Sequence, residues 1–371
     1  MYISSLSLKD FRNYRDAFIL FSRDLNIIYG NNAQGKTNII EAIFLCASGR
    51  SHRTSKDSEL VKINKNQFDI SLEIVKGEGN KRIDIIYETG KKKMVKVNEI
   101  PVSRIGNLMG NLLAVIFSPE DILIIKEGPS QRRRFIDITI SQIKPSYFYD
   151  LQQFSKILLQ RNTLLKEIQF NRSLIETLDI WDEKLSETAA RIMMVRNSFI
   201  NELNIKSKDI HQKITSGCEV LDIKYKPSIN IKNFNDAGSL KKELIDGLSK
   251  NRSIELKRCV TVVGPHRDDY DILINGLNLK IYGSQGQQRT AVLSLKLAEI
   301  EIIKSMIGEN PVLLLDDVMS ELDFERREFL LENIKNIQTF ITCTEKDIFE
   351  KRKSEEVIFI HVEDGNVKIE K

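Results

Sequence analysis

The stretch Asn26-Ile-Ile-Tyr-Gly-Asn-Asn-Ala-Gln-Gly-Lys-Thr-Asn38 decides the fold. Ile27, Ile28 and Tyr29 read as the end of a buried strand. Gly30, Asn31, Asn32, Ala33, Gln34, Gly35, Lys36 and Thr37 fit G-x-x-x-x-G-K-[ST] in full, and Asn38-Ile-Ile-Glu-Ala-Ile-Phe-Leu continues with helical spacing of apolar residues. Strand, loop and helix in this order form a phosphate loop. Gly30 and Gly35 free the backbone to curl so that successive N–H groups face phosphate oxygens. The helix N-terminus adds partial positive charge, Lys36 reaches the β- and γ-phosphates, and the Thr37 hydroxyl is placed for magnesium. The stretch is a nucleotide site.

A phosphate loop needs an acidic partner on a neighbouring strand. Val312-Leu-Leu-Leu-Asp-Asp317 supplies four apolar residues for a buried strand, then Asp316 at its carboxyl end, where ligands gather in open α/β sheets. Asp316 is the expected magnesium residue beside Thr37, and Asp317 the expected group that orients or deprotonates an attacking water. The two half-sites lie nearly the whole chain apart, so everything between them must fold back.

At 371 residues, with 41% hydrophobic and 29% charged, the chain is an ordinary globular protein of two domains or of one domain with an insertion. A net charge of +4 is small against 56 basic residues, so a nucleic-acid surface must come from local clustering. Cys46, Cys218, Cys259 and Cys343 are scattered without C-x-x-C pairs, and the four histidines are isolated, which predicts neither a zinc site nor disulfides. No signal peptide or membrane-length apolar run is visible, so a soluble, cytoplasmic protein with no membrane partner is expected.

Strands are expected over 2–8 and 18–21 feeding 25–29, period-2 patterning predicts more at 68–75, 82–87 and 94–97, and a short apolar run predicts a buried strand at 113–117. Residues 146–216 lack Pro and Gly and carry apolar residues at three and four. They predict two long helices broken at Asn171-Arg-Ser173 and packed as an antiparallel pair. Beyond 220 the pattern is mixed. A strand is expected at 260–263, a hairpin 271–274/279–282 turning at Asn275-Gly276, a helix over 284–306, strands at 312–315 and 340–343, a helix from Phe324, and a last hairpin at Asp364-Gly365. The expected organisation is an α/β head from 1–125 and 258–371, a mixed β-sheet with helices, and a mostly helical insertion, a hairpin or arm, at 126–257.

Two further features narrow the class. Gly283-Ser-Gln-Gly-Gln-Gln-Arg-Thr290 opens the long helix, and Ser320-Glu-Leu-Asp323 follows the acidic pair. Alone, each is an ordinary helix cap; Ser284 with Gln287 resembles a capping box. In order, phosphate loop, Ser-Gln-Gly-Gln-Gln, apolar strand with Asp-Asp and Ser-x-Leu-Asp resemble the ABC-type ATPases of DNA metabolism, related to the SMC and Rad-type heads. Leu8-Lys-Asp-Phe-Arg-Asn-Tyr14, Gly49-Arg-Ser-His-Arg-Thr54, Phe117-Ser-Pro-Glu-Asp121, Gly128-Pro-Ser-Gln-Arg-Arg-Arg-Phe-Ile-Asp137 and Gly264-Pro-His-Arg-Asp-Asp269 narrow it to a resemblance to the RecF family of bacterial recombination and repair proteins, over essentially the full length.

That resemblance implies ATP and Mg2+ as cofactors and an ATP-dependent head-to-head homodimer. In it Ser284, Gln285, Gly286, Gln287 and Gln288 close over the nucleotide of the other subunit, and Ser320 and Asp323 lie at the seam. Arg12 joins residues 30–38 in approaching the ATP. It implies binding to double-stranded DNA and ss/ds junctions, the mediators RecO and RecR as partners, and roles in DNA repair, damage and SOS responses, replication and recombination. The resemblance implies DNA-stimulated ATP hydrolysis with Asp317 and Lys36 as the catalytic residues, and two departures from the wider pattern, Asp317 for glutamate and Thr344 where a switch histidine is usual, predict that it is slow. Phe117-Ser118 also lacks the glutamine usual near that strand end.

For DNA, Arg132, Arg133 and Arg134 offer phosphate contacts, with Arg53, Lys91 to Lys93, Lys156, Arg161 and Lys166 as further candidates. A solvated face with salt bridges to Asp137 and Glu127 explains the three arginines equally well. Without a reading helix or stacking platform, binding is expected to follow the backbone and respond to salt. His266 is either part of the family motif or a buried capping histidine. The rival functions are a nucleotide-binding subunit of an ABC transporter, a chromosome-organising ATPase with a long arm (an arm of about 50 Å is too short), and a nucleotide-dependent scaffold without meaningful hydrolysis.

Overall fold

The computed structural model describes residues 1–77, 79–102, 104–345 and 357–370. The chain opens with β1 (Tyr2–Phe11), β2 (Tyr14–Leu20), β3 (Leu25–Tyr29), α1 (Lys36–Ser48), β4 (Gln67–Lys76), β5 (Gly79–Glu88), β6 (Met94–Val97), β7 (Ile100–Pro101) and β8 (Ala114–Phe117). Next come α2 (Leu123–Lys126), α3 (Pro129–Ile143), α4 (Pro145–Glu167), α5 (Leu178–Ile214), β9 (Leu221–Lys226) and α6 (Ala237–Arg258). It closes with β10 (Asp269–Ile274), β11 (Leu277–Asn278), α7 (Leu279–Tyr282), α8 (Gln285–Ile307), β12 (Val312–Leu315), α9 (Phe324–Asn333), β13 (Thr339–Cys343), β14 (Val357–Glu363) and β15 (Asn366–Glu370).

These elements form two compact units, Met1–Ile122 with Lys296–Lys371, and Leu123–Leu295. The first holds two six-stranded sheets. One, ordered β2-β1-β4-β5-β6-β7, is antiparallel. It alternates as a sheet with one covered face must: Phe68, Ile70, Leu72 and Ile74 of β4 are fully buried. The other is ordered β15-β14-β3-β13-β12-β8 and is parallel except for the edge strand β15. Every residue of β12 and β8 is buried, which explains their unbroken apolar runs. In this sheet β13 lies between β3 and β12, with Ile341 paired to Ile27 on one side and Leu315 on the other. The carboxyl ends of β3, β13 and β12 therefore stand side by side.

The second unit packs α4 against α5, with a break at 168–177 where the Asn171 side chain accepts from Ser173 N–H. Leu164, Leu165, Ile168 and Leu178 close the core at that end. The unit also contains a small antiparallel sheet, β11-β10-β9. Residues 260–263 are irregular instead of a strand. The Asn275-Gly276 turn forms as expected, but the returning strand is only Leu277–Asn278. Residues 279–282 are helical because the Asn278 side chain caps the Lys280 N–H. The sequence-based edge at 257/258 and the division at Leu295/Lys296 differ because β10 pairs with β9 from Leu221 to Lys226, which keeps the following residues with the second unit. α8 crosses that division as one continuous helix.

Candidate nucleotide site

The loop between β3 and α1 curls through left-handed backbone at Gly30 (φ 145°), Ala33 (φ 65°) and Gly35 (φ 118°). A Cβ at Gly30 would stand 2.3 Å from the Val362 carbonyl oxygen, and one at Gly35 would meet the Asn13 side chain at 2.5 Å. Glycine is required at both on steric and conformational grounds. Lys36 is buried at 4% exposure and its Nζ donates to the Gly30 and Asn31 carbonyls at 2.8 and 2.9 Å, so the ammonium sits inside the curl. Asn13 and Tyr14, to which the sequence assigned no role of their own, brace the loop together with Asn38. Asn13 Nδ2 donates to the Gln34 carbonyl (2.6 Å), Tyr14 OH to the Gly35 carbonyl (3.0 Å) and Asn38 Nδ2 to Asn13 Oδ1 (2.8 Å). The last hairpin joins in, with Asp364 N–H donating to Gln34 Oε1 (2.7 Å) and Gly365 N–H to the Gln34 carbonyl (3.3 Å).

Asp316 arrives beside this loop from β12. Thr37 Oγ1 donates to Asp316 Oδ1 at 2.9 Å, and Thr342 Oγ1 of β13 donates to the same oxygen at 2.8 Å. The next residue, Asp317, takes a left-handed conformation (φ 52°) and gives its backbone N–H to Thr342 Oγ1 at 2.8 Å. Thr342 thus ties the two acidic residues together, whereas Thr344 is exposed. Burial pushes the Asp316 carboxyl above its ordinary value and the nearby Asp317 adds to this, while Thr342, Thr37 and Arg53 act against it. A carboxylate strained in this way gains from a cation. Magnesium takes hard oxygen donors, one or two from protein and the rest from phosphate and water, and the Thr37 hydroxyl with Asp316 fits that demand.

Arg12 (φ 54°) binds Glu41 of α1 through Nε and Nη2 at 2.9 and 2.8 Å and donates to the Glu59 carbonyl at 2.8 Å. Arg53 Nη1 lies 3.1 Å from Asn38 Oδ1 and 3.5 Å from Glu41 Oε2. Burial alone would raise the Glu41 carboxyl, but Arg12, Ser51 and Arg53 outweigh it and hold the group below its ordinary value. Arg12 and Arg53 are therefore fixed beside the loop by one buried carboxylate that sequence reasoning missed, because a glutamate in an amphipathic helix reads as solvent-facing.

In the second unit, Ser284 caps α8 as a capping box: Gln287 N–H donates to Ser284 Oγ (3.2 Å) and Ser284 N–H to Gln287 Oε1 (2.9 Å). Ser284 and Gln285 are exposed and Gly286 half-buried. Gln288 is buried, and its Nε2 turns inward to the Leu279 and Gly283 carbonyls. Ser320, in the first unit, is exposed and donates to the Asp317 carbonyl (2.8 Å). Asp323 caps α9 through the Arg326 N–H.

The arginines offered for DNA separate. Arg132 is buried and forked onto Asp269 at 2.6 and 2.8 Å, with further bonds to the Ile124 and Glu127 carbonyls, so it is a structural residue. Arg133 is half-buried and donates to the Asp268 carbonyl (2.7 Å). Arg134 is exposed. Arg161 is fully buried among Asp182, Glu255 and Thr261, and Lys93, half-buried, donates to Asp57 Oδ1 and the Gly49 carbonyl; both are structural too. His266 is half-buried and its Nε2 meets the Thr261 carbonyl at 3.0 Å; burial pulls it down to about 4, the behaviour of a neutral capping histidine.

The chain is similar to known proteins over nearly its full length. The family described as the RecF/RecN/SMC N terminal domain matches residues 2–368. The DNA replication and repair protein RecF of Acetivibrio thermocellus is 65% identical over 365 residues, 98% of this chain and 99% of the relative. That of Ruminiclostridium cellulolyticum is 52% identical over 368 residues, 99% of each. A solved structure of the recombination mediator protein RecF-ATP in the RecFOR pathway superposes with a TM-score of 0.94 at 42% identity, over 100% of this chain and 98% of that one. An SmcHead bound to the C-winged helix domain of ScpA shares the fold alone (TM-score 0.56, 17% identity, 100% and 97% covered). The relatives give the transporter reading no support, and among the described residues no helix is long and apolar enough to cross a membrane. With the phosphate loop, its aspartate and the matches all in place over nearly the full length, the chain belongs to the RecF family of DNA replication and repair proteins.

Proposed function

We propose that this chain is an ATP-gated DNA-binding protein of recombinational repair and replication-fork recovery. ATP with Mg2+ on residues 30–38 joins two copies head to head, the pair holds duplex DNA near ss/ds junctions, and slow hydrolysis releases it. Mediators of the RecO and RecR type then help load the recombinase. The observation that carries the reading is the Thr37–Asp316 hydrogen bond, which brings the two halves of a nucleotide site together from opposite ends of the chain.

In this site a bound magnesium ion would neutralise charge on the phosphates. Lys36 holds phosphate oxygens from inside the loop, Thr37 and Asp316 keep the metal position, and Thr342 sets the direction of both aspartates. Asp317 holds the attacking water with a short, conformationally restrained carboxylate, which makes turnover slow. Arg12 and Arg53, aligned by Glu41, supply positive charge at the loop's flank. Ser284 and Gly286 of a second copy close the site, and Ser320 and Asp323 line the seam. The test is fluorescence anisotropy of a gapped duplex with and without ATP. Binding that rises with ATP supports gating, and equal affinity in both conditions contradicts it.

The left-handed Asp317 also favours a second reading, a nucleotide-dependent scaffold with no meaningful turnover. Phosphate release at the rate of the Asp317→Asn variant, with DNA present, would favour the scaffold.

A further inference from the structure

The last turn of α5 carries His211, fully buried, in a position that the nucleotide site does not use. Its Nδ1 lies 3.1 Å from Ser294 Oγ on α8, and its Nε2 lies 3.1 Å from Glu219 Oε2. The other oxygen of the same carboxylate, Glu219 Oε1, accepts from Gln287 Nε2 at 2.9 Å. Gln287 and Ser294 are seven residues apart on α8, two turns along one face. Histidine and glutamate therefore clip the first three turns of α8 from outside the helix.

The consequence lies in the amide of Gln287. A glutamine side chain has one carbonyl oxygen and one NH2 group. Here the oxygen accepts the Ser284 N–H and the NH2 donates to Glu219, so the amide is oriented by the carboxylate and used within its own chain. Rotating it by half a turn would place NH2 against the Ser284 N–H and oxygen against the carboxylate, two repulsive contacts. With the amide held, the Gln287 backbone N–H donates to Ser284 Oγ, a bond in which the hydroxyl is the acceptor and its own proton is not used.

We propose that Glu219, backed by His211, is a positioning residue for the α8 cap: it sets the Gln287 amide so that Ser284 presents its hydroxyl proton to a phosphate of the nucleotide held by a second copy. The proposal rests on the head-pairing reading above. It makes Gln287 a brace and leaves Ser284 and Gly286 as the groups that meet the nucleotide. Glu219 itself touches no nucleotide and lies in the irregular segment after α5.

The test combines amide hydrogen exchange of the nucleotide-free protein with steady-state ATPase measurements. Three variants are compared: Glu219→Ala, Glu219→Gln, and the exchange of partners Glu219→Gln with Gln287→Glu. The exchanged pair keeps both bonds, since the carboxylate placed at position 287 accepts from Ser284 N–H and from the amide placed at position 219. In Glu219→Ala, exchange at the Ser284 and Gln287 amides speeds up by roughly tenfold, as expected for loss of a hydrogen bond to a charged group. Its kcat falls by a similar factor while the affinity of the single chain for ATP is unchanged. Glu219→Gln is intermediate, and the exchanged pair recovers most of the loss in both readouts. Wild-type exchange and kcat in Glu219→Ala, or an exchanged pair worse than Glu219→Ala, would overturn the proposal. Altered exchange with rescue, in a protein whose wild type shows no ATP-driven pairing, would keep the brace and remove the head-pairing reading instead.

Discussion

Thr37 and Asp316 stand 279 positions apart and share a 2.9 Å hydrogen bond. Neither residue makes a nucleotide site alone. The bond exists because β13 is inserted between β3 and β12, which sets the phosphate loop and the acidic strand end within a side chain's reach of each other. Thr342, on the inserted strand, bonds Asp316 on one side and the Asp317 backbone on the other.

Thr342→Val keeps the shape and removes the hydroxyl. The buried Asp316 loses a donor and the Asp317 N–H loses its acceptor, at a cost of about 1–3 kcal/mol. Thermal unfolding should show a lower Tm, and phosphate release should fall more than ATP affinity does. An unchanged turnover would show that Thr342 does not align the aspartates.

Lys36→Ala removes an ammonium that two carbonyls already hold in the centre of the loop. ATP affinity measured by calorimetry should weaken by about tenfold or more, on the order of 1.4 kcal/mol. Retained affinity would place the nucleotide elsewhere.

Glu41→Gln tests the arginine clamp. Arg12 is left without its carboxylate in a partly buried position, which should cost about 2 kcal/mol, within the range for hydrogen bonds to charged groups. The folded-state carboxyl is held below the ordinary glutamate value of 4.5. Its contribution is therefore complete above that value and is lost as pH falls through the lower, folded value. The stability gap between wild type and Glu41→Gln, read from denaturant midpoints, should be constant near neutrality and close in acid. A gap that widens in acid would contradict the assignment.

Among the basic residues, burial predicts opposite outcomes. Arg161→Met takes the buried Glu255 from its arginine and leaves Asp182 with Arg252 alone, which should cost about 3–5 kcal/mol. Arg134 is exposed, and Arg134→Ala should leave Tm nearly unchanged. If Arg134 meets a DNA phosphate, the slope of log affinity against log salt should drop by about 0.9. An unchanged slope would remove it from the DNA surface.

The phosphate loop was legible because its residues are consecutive and the flanking strand and helix announce themselves. The apolar runs 114–117 and 312–315 were legible for a related reason: strands buried on both faces carry no polar interruptions. What stayed hidden depends on neighbours supplied by the fold. Thr342 looks like any strand threonine until β13 is known to separate β3 from β12. Glu41 looks solvent-facing until Arg12, Ser51 and Arg53 surround it. Arg132, Arg133 and Arg134 are identical letters in a row, and helical rotation sends the first into a fork with Asp269 and the third into solvent. At 279–282, apolar alternation suggested a strand, yet one capping bond from Asn278 made it a helical turn.

Sedimentation velocity, with and without saturating ATP and Mg2+, shows whether nucleotide controls pairing of the heads. The expected result is a monomer that shifts to a dimer on adding ATP, with Lys36→Ala unable to shift. A wild-type chain that stays monomeric in saturating ATP, or is dimeric without it, would contradict the claim that nucleotide decides whether two heads close.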